Sequence, residues 1–592
     1  VNTPLPVSTG RGLSVRYRDR NLYNSENPVV RSEEAAARVV IRPDTLVIVP
    51  SPVLGYGLDV LLRKLESGCR ILCIETDQNL MALSMEHIPP EILHHERLSM
   101  IRTESPVEAV RFVERLGFWN FRRIETVRLS GGYALSAQAY RGMIDAIGIE
   151  IRRYWRNRMT TIRMGRLWVR NILANLPALG SGTDIASLRV DKPVVVAGAG
   201  ESLESAFVWL REVRELVFLV SVDTALPSLV EAGFTPDLVV ALESQIVNQA
   251  DFIGLFDLPC ELACDISSYP GIVRRYPGRC RFFMTRFERL GIFERLEEAG
   301  LAPAQIPPLG SVGLAAIRLA TEITDRPILL TGLDFAYTAG KPHAKHAPSH
   351  TMYLYRANRL NPDPLFAAGT ARQRLEAAGA HGRTVTTDAV LGSYAELARE
   401  MLAGEVDVAD ARSSGLDLGL RTFSGPDEVI RFVNEAAAEP FRDAVGRAED
   451  GKTEGAGARA GERADQTPAD RAAARTTNGG SDPADGAVSA EDKLYRILRF
   501  LRNEETLLCE LLELGKGLLA SGGPDERTFP ARLLSLLREL DYLYIDFPDR
   551  PPLPAENRPF IARALARAQY CLERVRRSIG LAAGRIATPR SS

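Results

Sequence analysis

Between residues 332 and 346 the chain reads GLDFAYTAGKPHAKH, gathering two of its seven lysines, Lys341 and Lys345, and two of its seven histidines, His343 and His346. A neutral imidazole can take a proton from an attacking hydroxyl, and an ammonium can offset charge on a departing phosphate, so a histidine beside a lysine suits group transfer. The charge of Lys341 is expected to keep the His343 imidazole neutral near pH 7. Asp334 opens the same stretch and is read with them as catalytic. The plain alternatives are a loop histidine bonded to backbone and a solvated lysine. His343, His346 and His350 also have the i, i+3, i+7 spacing of one helical face. Pro342 and Pro348 argue against a continuous helix there and no carboxylate accompanies the histidines, so no metal centre is assigned.

The elements that must carry these residues are legible on either side. Arg326-Pro-Ile-Leu-Leu-Thr-Gly332 reads as a short buried strand, which sets the cluster at a strand's carboxyl end, where open parallel sheets bind ligands. Other polar groups fall at similar ends. Val194-Val-Val-Ala is a strand entering the turn Gly198-Ala-Gly200, with Ser202 as a helix N-cap; such a turn lets backbone amides approach a phosphate. Asp223 and Thr224 follow the strand Leu216–Ser221, and Glu243 and Gln245 follow Leu238–Leu242. Acids recurring on one edge can hold ribose hydroxyls, a metal ion or a catalytic proton, while Asp223 can equally cap the helix after it. Ser311 and Gly313 start a helix whose first amides suit an anion.

An earlier unit begins with Asp44-Thr-Leu-Val-Ile-Val-Pro50, a glycine turn, a helix from Leu58 and the strand Arg70–Glu75. That order is Rossmann-like, yet GxGxxG is missing, which favours a scaffold over a ligand site. Helical periodicity over about Leu135–Leu176 predicts a long connector. Residues 448–490 hold no leucine, isoleucine, phenylalanine or tyrosine and read as a disordered linker; beyond it, 494–519, 531–543 and 559–579 carry helical spacing and predict a bundle for docking or homo-oligomerisation. The expected organisation is an extension (1–43), a Rossmann-like domain (44–134), a helical connector (135–185), a central α/β domain with a mostly parallel sheet (186–425), a helical segment (426–447), the linker (448–490) and a C-terminal helical domain (491–592).

At 592 residues, 45% of them hydrophobic, the chain has material for several cores. Its net charge of -2 argues against a nucleic-acid footprint, and no apolar run approaches the ~20 residues of a membrane span. Seven cysteines in mostly apolar settings read as reduced core residues, so the expected location is the cytoplasm.

Taken jointly, "VVVAGAGESL", "SVDTALPSLVEAGFTPDLVVALESQ" and "GSVGLAAIRLATEITDRPILLTGLDFAYTAGKPHA" resemble the motility-associated factor (Maf) family of flagellin glycosyltransferases, and the central domain also resembles archaeal hydroxymethylpterin diphosphokinases. The resemblance covers about residues 40–425, with "WVRNILANLP" and "VPSPVLGYGLDVLL" in the connector and first domain. It implies a sialyltransferase-like central domain that transfers a nonulosonic, sialic-like acid such as pseudaminic acid from a CMP-activated donor to serine or threonine of flagellin in the bacterial flagellum. The nucleotide-sugar roles then fall on Gly198, Gly200, Ser202, Asp223, Ser311 and Gly313, joined on the same edge by Thr224, Glu243 and Gln245. Asp334, Lys341 and His343 belong to the family's own motif. Glu201 stands where the family usually has proline. No cofactor is required by this reading. Magnesium enters with the first alternative, diphosphoryl transfer from ATP to a pterin alcohol. The second alternative is a silent flagellin-binding scaffold.

Overall fold

The computed structural model describes residues 3–338, 340–360, 373–404, 407–438, 489–520, 531–547 and 558–587; the linker expected at 448–490 lies almost wholly outside them. The chain divides into two compact units, Val1–Arg163 and Met164–Ser592, and the division falls inside one 43-residue helix, Ala137–Leu179. Tyr140, Met143 and Ile147 of that helix belong to the first unit's core, and Val169, Ile172 and Leu176 to the second's.

The first unit holds a parallel four-stranded sheet of Thr45–Pro50, Arg70–Glu75, Leu98–Arg102 and Arg123–Thr126, in the order third, second, first, fourth. An antiparallel hairpin precedes it, and Val15 and Tyr17 share a core with Val53, Leu54 and Leu80. Glu75, the acid ending the second strand, is fully buried. Its carboxylate accepts from the Ser51 hydroxyl (2.7 Å), the Tyr140 hydroxyl (2.9 Å) and the amides of Thr76 and Asp77 (2.9 and 3.0 Å), so the fold itself saturates it.

The second unit is built on a sheet whose central strands Val194–Ala197, Leu238–Ala241 and Ile328–Thr331 are buried along their whole length, which is why they read as short apolar runs. The strands of the sheet are β1 (Val194–Ala197), β2 (Phe218–Val222), β3 (Leu238–Ala241), β4 (Glu261–Asp265), β5 (Cys280–Thr285), β6 (Gln305–Ile306), β7 (Ile328–Thr331), β8 (Val408–Asp410) and β9 (Arg421–Thr422). Among the described residues they lie in the order β6, β5, β4, β3, β2, β1, β7, β8, β9, every neighbour parallel, and Thr183–Asp184 pairs with β5. The chain therefore winds outward from β1 to β6, then returns to the other side of β1 with β7. The topological switch point of the sheet therefore falls between β1 and β7.

Helices Ala490–Ala520, Ala531–Glu539 and Arg558–Ala587 form as their periodicity predicts. Their apolar faces are not spare for a partner, however. Leu508, Leu511, Leu536, Ile561 and Leu572 share one core with Leu262, Phe282 and Met284 of the sheet. Polar ties reinforce the union: the fully buried Glu504 accepts from Arg295 at 2.6 Å and from the Tyr542 hydroxyl at 2.9 Å. All seven cysteines are free thiols, six of them buried. Among the described residues no helix is long and apolar enough to cross a membrane.

Candidate active site

Thr331 of β7 pairs with Ala197 of β1, so Gly332 and Gly198 are the next residues on adjacent strands. Their backbones touch. A methyl group on either would overlap the carbonyl oxygen of the other, and Gly332 adopts φ +63°, so only glycine fits this crossing. A Cβ on Gly200 would lie 2.5 Å from the Asp334 carboxyl carbon. The glycine turn is thus occupied by packing against the β7 loop. The next residue pair closes it: Asp334 accepts from the Ser202 amide at 2.9 Å and from the Ser202 hydroxyl, which itself accepts from the Gly332 amide at 3.1 Å.

This differs from the expected use of Ser202 and Asp334. Both are 1% exposed, and Asp334 caps the Ser202–Val213 helix from across the sheet, so the first turn of that helix already has its anion. Burial pushes the Asp334 carboxyl up to about 6 against the opposing pull of the Ser202 bonds and nearby Arg412. Arg412 was not read from the sequence as part of the site. It forms a fully buried ion pair with Asp410 at 2.6 Å and donates to the Leu333 carbonyl at 2.7 Å, shoring up the β7 loop from the β8 side.

The chain then folds over the carboxyl edge. Tyr337 donates its amide to Thr386 and Thr387 its hydroxyl to Phe335, both at 2.8 Å, so the hairpin Leu375–Ala378 and Thr384–Thr387 holds the start of the loop. The Ala344 amide reaches Ala199 at 2.8 Å, the Lys345 amide reaches Glu204 at 2.9 Å, and the Ser228 hydroxyl donates to the Lys345 carbonyl at 2.6 Å. The lysine and histidine cluster therefore bridges the helices that follow β1 and β2.

Lys341 lies 3.2 Å from Glu204, with both side chains about a quarter exposed, so the lysine read as a solvated or phosphate-facing charge has a carboxylate partner. Burial raises the Glu204 carboxyl, but the Lys345 amide, the Lys341 bond and the two lysine charges together bring it below its ordinary value. His343 pairs through Nδ1 with the Ser349 hydroxyl at 2.8 Å. Its imidazole is depressed to about 4, hence neutral at pH 7 as expected, but the cause is burial and then His350, not Lys341. Lys341 acts on His350 instead, after burial. His346 adopts φ +67° on the loop and His350 enters the helix Pro348–Tyr355, so the three histidines share no helical face. Among the described residues no group of three His, Cys, Asp or Glu side chains could hold a metal ion.

At the ends of β2 and β3 a second cluster forms. Asp223, 2% exposed, accepts from the Thr224 amide at 2.8 Å and from Asn248 at 2.7 Å; it turns back on its own loop and does not cap the helix Leu226–Glu231. Asn248 also donates to Asp251 at 2.9 Å, and the Gln245 amide donates to Glu243 at 2.8 Å. Burial lifts Asp223 to about 6; burial followed by the charges of Asp223 and Glu243 lifts Asp251 to about 7. Asn248 and Asp251 sit in the 3₁₀ segment Ile246–Phe252, which has no amphipathic period to mark it. Ser311 heads the helix Val312–Ile323 without making a side-chain cap bond, and a Cβ on Gly313 would meet Leu333 at 2.7 Å, so that helix start abuts the β7 loop.

The edge is therefore the carboxyl edge of a doubly wound α/β sheet, whose switch point is sealed by Ser202 and Asp334 and overlaid by the Lys341–His350 loop. The comparisons agree with that class. A family model described as 6-hydroxymethylpterin diphosphokinase MptE-like matches residues 170–340. A Treponema pallidum (strain Nichols) protein described as uncharacterized is 28% identical over 582 residues, covering 96% of this chain and 94% of its own length. A second protein of that organism, with the same description, is 29% identical over 90 residues, or 15% of this chain. The solved structure of a MAf glycosyltransferase from Magnetospirillum magneticum AMB-1 superposes with a TM-score of 0.54 at 15% identity, covering 99% of this chain and 90% of that one. The chain thus shares its fold with that MAf glycosyltransferase.

Proposed function

We propose that this chain is a glycosyltransferase that moves a nonulosonic acid from a CMP-activated donor to serine or threonine of flagellin in the cytoplasm, for flagellar assembly. The observation that carries the reading is the loop from Asp334 to His350 laid over the sheet's switch point in a fold that matches a MAf glycosyltransferase along 99% of the chain. In this reading Asp223, Thr224, Glu243 and Gln245 receive the cytidine ribose. Carboxyls lifted to about 6 at Asp223 and about 7 at Asp251 are partly protonated near neutrality, so the cluster can donate as well as accept hydrogen bonds. Ser311 and the amides of its helix face the phosphate. Gly198, Gly200, Ser202 and Asp334 keep the two loops in register.

Transfer forms a bond between the acceptor oxygen and the anomeric carbon while the bond from that carbon to the phosphate oxygen breaks. The hydroxyl proton passes to the His343 nitrogen not paired with Ser349, and CMP leaves with the electron pair. Lys341, shared with Glu204, offsets the charge that develops on the phosphate. The test is mass spectrometry of flagellin incubated with the chain and CMP-activated nonulosonic acid. The expected result is a mass gain of one sugar residue, lost with His343→Ala; no gain with the wild-type chain contradicts the proposal.

The match of residues 170–340 to a diphosphokinase model favours a second reading, diphosphoryl transfer from ATP to a pterin alcohol. There the acids after β2 and β3 would hold magnesium, and turnover would depend strictly on that ion.

A further inference from the structure

Away from these loops, four arginines surround a cavity of about 200 Å³ in the second unit: Arg170 from the long helix, Arg274 after the short helix Pro270–Val273, and Arg574 and Arg577 from the C-terminal helix. No carboxylate lines it, and none of the described carboxylates forms an ion pair with any of the four. Arg170 donates to the Asn171 side chain, and Arg574 lies 5.0 Å over the Tyr570 ring. The Arg574 Nε is buried without an acceptor, a costly state for a donor on a cation. The framework is firm: the buried Ser578 hydroxyl ties the C-terminal helix to the Leu173 carbonyl at 2.8 Å, and Asn171 holds the Ser244 and Ser267 carbonyls at 2.9 Å each.

In a chain of net charge -2, four arginines line this cavity with no carboxylate among its lining residues, so an anion entering it would offset their like charges. Guanidinium forks match phosphate oxygens two at a time. The volume holds roughly six groups of water size at ~30 Å³ each, enough for two linked phosphoryl groups and too small for a folded partner. We infer that this cavity is an anion-binding site for a small phosphate-bearing ligand with two or more negative groups. The inference is independent of the proposed transferase activity. It is also not a property of the segment matched by the diphosphokinase model, because Arg574 and Arg577 lie beyond residue 340.

The test is calorimetric titration of the full chain with inorganic pyrophosphate at low ionic strength, for the wild type, for Arg274→Gln with Arg577→Gln, and for Arg576→Gln. Arg274 and Arg577 are exposed, so their replacement leaves the fold intact, which the unliganded unfolding midpoint verifies. Arg576 is on the same helix but pairs with Glu505 at 2.7 Å outside the cavity. The expected result is wild-type binding weakened about tenfold or more in the double variant and unchanged in Arg576→Gln. No binding by the wild type, or equal weakening in Arg576→Gln, overturns the site.

Discussion

Ser202 and Asp334, 132 residues apart in sequence, form one hydrogen-bonded clasp: the Ser202 amide and hydroxyl both donate to the Asp334 carboxylate, and the hydroxyl also accepts from the Gly332 amide. Ser202→Ala removes the shared hydroxyl and leaves Asp334 and the Gly332 amide each short of a buried partner. The expected cost is about 1–3 kcal/mol, read as a lower unfolding midpoint. The cost is larger above pH 6, where the Asp334 carboxyl is ionised. An unchanged midpoint at pH 8 would show that the clasp contributes nothing.

The crossing of Gly198 and Gly332 sets a steric contrast with an open glycine. Gly332→Ala places a methyl group against the Gly198 carbonyl in a left-handed backbone, and a loss of about 3 kcal/mol or more is expected. Gly392→Ala, in the helix Ala389–Leu402 with nothing within 4 Å, is expected to gain about 0.5–1 kcal/mol. Chemical denaturation of the two variants measures both.

Asp251 makes stability depend on pH in a defined window. Its folded carboxyl is lifted from 3.8 to about 7, so the folded chain binds more protons than the unfolded chain between those values, and this group's contribution to stability falls as pH rises through them. Asp251→Asn removes the penalty. The variant is expected to exceed the wild type by about 1 kcal/mol at pH 8, after allowance for solvent screening, and to match it near pH 4. A difference that grows toward acid would reverse the assignment.

His343 makes a prediction about rate. Burial and then His350 depress its imidazole to about 4, so kcat/KM for transfer should show no His343 limb between pH 6 and 7, where an ordinary histidine would give one. A limb near 7 would belong to Asp251 and should vanish in Asp251→Asn. A limb near 6.5 that survives that substitution and is lost in His343→Gln would contradict the depression of the His343 imidazole.

The strands were legible because β1, β3 and β7 are short unbroken runs of valine, isoleucine and leucine, and the long helix and the C-terminal helices because their periods persist for many turns. The position of the Lys341–His346 loop at a strand's carboxyl end was legible for the same reason. Its partners were not. Glu204 meets Lys341, and Gly198 meets Gly332, only because the sheet order sets β7 beside β1, and no local period encodes that order. Asn248 and Asp251 lie in a 3₁₀ segment, and the four cavity arginines are scattered from residue 170 to residue 577, so proximity in space was their only common signal.

Thermal unfolding with CMP or CDP in EDTA, set against ATP with magnesium, tests the central claim most directly. A ligand present at ~100 times its dissociation constant adds ~2.7 kcal/mol to the folded state. Stabilisation by the cytidine nucleotides without metal is the predicted result. A shift confined to ATP with magnesium would contradict the transferase account and support diphosphoryl transfer.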